Sequence, residues 1–114
     1  MSIQTGRLAH LIEREISEIV RREASNKQLK EVTITDVKLN DDKSVAKVYY
    51  TILDAAHREK VQKHLENATG YIRSAVAEDI DVRKMPELRF VYDESIEYGE
   101  RIERILSDLN KKNN

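Results

Sequence analysis

The chain has 114 residues, a length that suits one domain and lets roughly two-thirds of its surface be buried. It has no cysteine, which excludes disulfides, thiolate nucleophiles and Cys-ligated zinc. Charged residues make up 36% of it while the net charge is only -1, so it lacks the overall basicity of a simple nucleic-acid binder.

The charges are nonetheless uneven. Residues 1–30 hold six Lys/Arg against four Asp/Glu, and residues 87–114 hold five against seven. Met1-Ser2-Ile3-Gln4-Thr5 lacks the apolar core of a signal peptide, and no apolar run reaches transmembrane length. The expected location is cytoplasmic, with no membrane partner.

From Arg7 to Ala24 the pattern is helical. Leu8, Leu11, Ile12, Ile16, Ile19 and Val20 share one side at the helical period. Arg7, His10, Arg14 and Arg21 fall on the opposite side. That side reads either as a solvated face, flanked by Glu13 and Glu18, or as a ridge of arginines seven residues apart that tracks a phosphate backbone.

Ser25 to Lys30 is polar and breaks the helical pattern. Val32-Thr33-Ile34-Thr35 then alternates as a strand. The phase shifts near Asp36, which predicts a bulge, and Val37 and Leu39 continue on the other phase. Asn40-Asp41-Asp42-Lys43-Ser44 has the composition of a tight turn between strands. Ala46 to Ile52 is a second strand with Ala46, Val48, Tyr50 and Ile52 inward and Lys47, Tyr49 and Thr51 outward. An outward tyrosine beside lysine either stacks a base or packs against a neighbouring element.

Val61, Leu65, Ala68, Ile72, Val76 and Ile80 make a second helical stripe, with Gly70 in its middle. Glycine there costs about 1 kcal/mol relative to alanine, and β-branched Thr69 weakens the helix further. Two readings compete: a bend between two helices, or a close approach of backbone to something else. The bend is preferred, because the apolar phase holds on both sides. Lys60, Lys63, Asn67 and Ser74 lie opposite the stripe, and Arg73 lies on its flank. Arg83 and Lys84 precede Pro86, which ends any helix before it. Leu88-Arg89-Phe90-Val91-Tyr92 is a third strand. Asp93-Glu94-Ser95 offers an N-cap, after which Ile102, Ile105, Leu106 and Leu109 predict the inward stripe of a last helix.

Helices and a small sheet interleaved in this order predict a two-layer α+β domain spanning 1–114, with 110–114 a frayed tail and one sheet face open. Convergent catalytic groups are missing from the sequence. His10, His57 and His64 are the only histidines, the three glycines are isolated, and no Gly-Lys-Ser/Thr occurs. The chain reads as a non-enzyme, with no metal and no cofactor.

Two segments carry a family pattern, Ala68-Thr69-Gly70-Tyr71-Ile72-Arg73 and Pro86-Glu87-Leu88-Arg89-Phe90-Val91-Tyr92-Asp93. With Val32 to Val37, Ala46 to Tyr50 and the Ile3–Val20 helix, the chain resembles the bacterial ribosome-binding factor A family over nearly its whole length. It departs from the family pattern before the first strand, where Asn26-Lys27-Gln28-Leu29 stands in place of a frequent Asp-Pro.

The resemblance implies a type II K-homology (KH) fold, αββααβ, with Ala68-Thr69-Gly70 as a helical kink in place of the Gly-x-x-Gly clamp of ordinary KH domains. It also implies binding of the 30S ribosomal subunit and its 16S rRNA during late maturation and rRNA processing, with a part in cold adaptation. Other small-subunit assembly factors are further partners, and a monomer is expected. The expected RNA-binding residues are Arg7, Arg14, Arg21, Lys63, Arg73, Arg83 and Lys84, as phosphate contacts, with Ala68, Thr69 and Gly70 at the kink. The alternative is a protein-interaction module using the open sheet face or the acidic last helix, which carries Glu94, Glu97, Glu100 and Glu103.

Overall fold

The computed structural model describes residues 5–23, 29–95 and 103–109. The elements run α1 (Thr5–Arg22), β1 (Val32–Leu39), β2 (Val45–Ile52), a 3-10 turn (Ala55–His57), α2 (Arg58–Asp79) and β3 (Glu87–Tyr92). The sheet has the order β1-β2-β3, β1 antiparallel to β2 and β2 parallel to β3. A parallel pair needs a crossover, and α2 supplies it. This is an α+β, KH-like arrangement of the kind expected.

Periodicity accounts for each element. Leu8, Ile12, Ile16, Ile19 and Val20 of α1 are buried at the expected spacing, and Arg21 and Arg22 in its last turn suit the negative end of the helix dipole. On β2 the alternation is strict: Ala46, Val48, Tyr50 and Ile52 are buried, and Lys47 between them is exposed. The predicted bulge is present, because the β1–β2 register shifts between Ile34 and Asp36. It returns Val37 to the inward face, where it lies opposite Val48. The turn between the strands is held by its polar residues. Asn40 accepts from Val45 N at 2.9 Å, Asp42 accepts from Ser44 N at 3.0 Å, and Lys43 adopts φ 61.

Both helices lie on the inward face of the sheet, α1 against β1 and α2 against β3. Tyr50 is fully buried at the centre, and its ring meets that of Tyr92 edge-on at 5.8 Å. Its hydroxyl donates to Gln62 Oε1, and Gln62 Nε2 donates to the Phe90 carbonyl at 2.9 Å. No buried side-chain polar atom is left unpaired among the described residues.

Two expectations are corrected. The helices expected to meet at Ala68-Thr69-Gly70 are joined in one uninterrupted α-helix, Arg58–Asp79. Glycine costs about 1 kcal/mol there, whereas Leu65 and Ile72, buried on either side of it, each contribute about 1.5–3 kcal/mol. Burial wins. Thr69 Oγ1 donates back to the Leu65 carbonyl at 2.8 Å, a bond that bends helices locally without ending them.

The second correction concerns the last helix. Residues 103–109 are helical, but Ile105, Leu106 and Leu109 are 49%, 56% and 51% exposed, so this stripe does not join the core. The residues that cover the sheet already come from α1 and α2. Glu97, Glu100, Ile102 and the 110–114 tail lie outside the described residues, as does the segment Ala24 to Gln28.

Candidate nucleic-acid interface

The outer face of α1 exists because its opposite face is spent on the core. Arg7, Arg14 and Arg21 are all exposed there, as is His10. Arg21 is paired with Glu18 one turn earlier, a contact that raises the arginine's pKa and lowers the carboxylate's. No ion pair holds Arg7 or Arg14 among the described residues. Neither has an ion pair to give up on meeting a phosphate.

The two helices run antiparallel. Tyr71 hydroxyl donates to Glu23 Oε1 at 3.4 Å, while at the other end Glu15 lies against Asp79. Burial, then the hydrogen bond and the charge of Asp79, push the Glu15 carboxyl up from its ordinary value. The N-terminal half of α1 therefore runs toward the α2–β3 connection, which carries Arg83 and Lys84. Both are exposed. The structure thus brings Arg7, Arg83 and Lys84 toward one end of the helical layer.

The other expected residues divide. Arg73 is largely occupied: its Nη2 donates to the Met85 carbonyl at 2.7 Å and its Nε to the Pro86 carbonyl at 3.1 Å. Lys63 is exposed on a different flank, in a groove beside β3 that it shares with Arg58, Glu59 and Glu66. The field in that groove is of mixed sign.

Ala68 and Thr69 are half-buried, and the Thr69 hydroxyl is already engaged with Leu65. Gly70 is exposed, and a methyl group built on it meets no atom within 4 Å. What this stretch offers a partner is bare backbone at Gly70 beside the exposed ring of Tyr71.

The uncovered sheet face holds a feature that local patterning does not reveal. The register sets Lys38 opposite Lys47 and Lys47 opposite Arg89. Lys47 was legible as outward from its own strand; its neighbours in the row depend on how three strands pair. Among the described residues no three His, Cys, Asp or Glu side chains are placed to hold a metal ion, and no helix is long and apolar enough to cross a membrane.

Comparison with known proteins gives one consistent result. The family model described as ribosome-binding factor A matches residues 4–106. Ribosome-binding factor A of Streptococcus sanguinis (strain SK36) is 43% identical over 113 residues, covering 97% of each chain. That of Macrococcus caseolyticus (strain JCSC5402) is 40% identical over 112 residues, covering 97% and 98%.

Among solved structures, the crystal structure of ribosome-binding factor A from Thermus thermophilus superposes with a TM-score of 0.71 at 23% identity, covering 79% of this chain and 97% of that one. At that identity the likeness is one of fold. A Thermus thermophilus ribosome-binding factor A homology model, fitted into the cryo-EM map of its complex with 30S, matches with a TM-score of 0.64 at 26% identity. It covers 76% of this chain and 96% of that one.

Proposed function

This chain belongs to the ribosome-binding factor A family, and from that membership we propose that it binds the 30S ribosomal subunit through 16S rRNA, as a non-enzymatic factor of late subunit maturation. The observation that carries the reading is the exposed pair Arg7 and Arg14 on the outer face of α1, without an ion pair among the described residues and running toward Arg83 and Lys84. Clustered cations of this kind neutralise phosphates and release counterions, so binding is strong at low salt and falls steeply as salt rises. The related Thermus protein, fitted to a map of its 30S complex, supports the choice of partner.

The mechanism follows from differential affinity. A factor that binds an immature rRNA conformation better than the mature one shifts the population toward that state until mature contacts displace it. Its roles in rRNA processing and cold adaptation belong to the same proposal, since structured RNA is most easily trapped in misfolded states when thermal energy is low. The monomeric, cytoplasmic chain works in the company of other small-subunit assembly factors and uses no cofactor. Gly70 contributes here as accessible backbone rather than as a nucleotide clamp, for the positions three residues either side of it are Asn67 and Arg73, not a second glycine.

Co-sedimentation with isolated 30S and 50S subunits at two salt concentrations tests this. Binding to 30S alone, weakening with salt, is the expected outcome; no 30S binding at low salt removes the proposal. A second reading, docking onto another protein, is favoured by the half-exposed Ile105, Leu106 and Leu109. Salt-insensitive binding lost with Leu106→Ser would support it instead.

A further inference from the structure

On the face of the sheet that neither helix covers, Lys38, Lys47 and Arg89 stand in one row, each on a different strand and all exposed. Adjacent strands lie about 4.8 Å apart, so the row crosses roughly 10 Å of sheet. Like charges set directly opposite each other destabilise strand pairs. The sheet therefore gains nothing from this arrangement.

Nearby anions offset it only in part. Glu87 reaches Arg89 at 3.4 Å, but both side chains are more than half exposed and such a pair holds weakly. Asp36 accepts from the Val37 amide at 2.9 Å and Asp93 from Thr35 and Ser95; both keep their charge, and that of Asp93 acts on Lys38, but neither forms an ion pair with the row. Among the described residues neither Lys38 nor Lys47 forms an ion pair; the Lys38 ammonium sits 5.6 Å over the Tyr49 ring instead.

We propose that the Lys38–Lys47–Arg89 row is a second RNA-contact surface, which takes the phosphates of an rRNA strand across the open face of the sheet. It rests on the reading of the chain as a 16S rRNA binder and adds a face remote from α1. The occupant is chosen by charge: three adjacent cations, of which Arg89 has one weakly held carboxylate partner and Lys38 feels the charge of Asp93 without an ion pair, fit a polyanion. In binding, phosphates relieve the mutual repulsion of the row, and Lys38 exchanges a weak contact with the Tyr49 ring for a full charge.

The test compares the unsubstituted chain with the triple variant Lys38→Gln, Lys47→Gln, Arg89→Gln and with the charge-retaining triple Lys38→Arg, Lys47→Arg, Arg89→Lys. Binding is measured to isolated 30S subunits and to protein-free 16S rRNA over a range of salt. The neutral triple is expected to bind both at least tenfold more weakly, with a log–log salt slope shallower by about 2. Its melting temperature should be unchanged or higher, and the charge-retaining triple should bind normally.

Unchanged affinity and slope in the neutral triple overturn the inference while leaving the proposed function standing. Weaker binding to 30S but not to free 16S rRNA also overturns it, and assigns the row to a ribosomal protein. Absence of 30S binding by the unsubstituted chain removes the functional reading and this inference together.

Discussion

Arg73 reaches from the flank of α2 to the backbone just before β3, donating to the Pro86 carbonyl at 3.1 Å and to that of Met85 at 2.7 Å. A residue expected as a phosphate ligand thus fastens the connection that bears Arg83 and Lys84. Arg73→Gln should cost about 1–2 kcal/mol, as expected for losing hydrogen bonds from a charged donor. Arg73→Lys keeps the charge without the fork that spans two carbonyls, so its stability should fall between the two. Urea unfolding reads both variants. A lysine variant as stable as the parent would show that the fork holds nothing.

Gly70→Ala separates architecture from contact. The added methyl meets open space and the backbone is already helical, so stability should rise by about 0.5–1 kcal/mol. Affinity for 30S is expected to fall, because the same methyl intrudes where RNA would approach the exposed backbone. A variant that is more stable and binds normally would leave Gly70 without a role in binding.

The helix–strand order and most of the core were legible in the sequence because burial imposes a period. The stripe from Leu8 to Val20, the alternation from Ala46 to Ile52 and the shift near Asp36 all report which face meets the core. Gly70 misled because a local cost of about 1 kcal/mol was weighed without the burial of Leu65 and Ile72 around it. Ile105, Leu106 and Leu109 misled for another reason: apolar spacing defines a face but not the surface that covers it.

On α1 the outward placement of Arg7 and Arg14 was readable from the helical period alone. The binding of Arg73 to the Met85 and Pro86 carbonyls and the row of Lys38, Lys47 and Arg89 were not, since both depend on tertiary register.

Tyr50 offers an alkaline test. Burial pushes its phenol up from 10.0 to about 12, with the Arg58 charge opposing. The folded state thus favours the protonated form, and the resulting stability is full below the unfolded value and lost as pH rises through the folded one. Tyr50→Phe removes the hydroxyl that donates to Gln62 and should cost about 1 kcal/mol at neutral pH. It should also flatten the loss of stability at alkaline pH, followed by urea midpoints. An alkaline limb as steep in the variant as in the parent would assign the titration elsewhere.

Asp93 makes the complementary prediction at acid pH. Its carboxylate accepts from the Ser95 hydroxyl, from the Ser95 amide at 3.0 Å, and from Thr35 Oγ1 at 2.6 Å across the sheet. These bonds, those of Ser95 foremost, hold its pKa below the ordinary 3.8. A depressed carboxylate stabilises the fold above its unfolded value, and that contribution is lost as pH falls through the folded one. Asp93→Asn should therefore be less stable at neutral pH by about 1 kcal/mol, with a shallower acid limb. Thr35→Val should show part of the same effect, because it removes one donor and leaves the Ser95 pair intact. Urea midpoints from about pH 7 down to about pH 3 bracket the ordinary carboxylate range. An Asn variant that loses stability with acid as steeply as the parent would show that Asp93 does not control this limb.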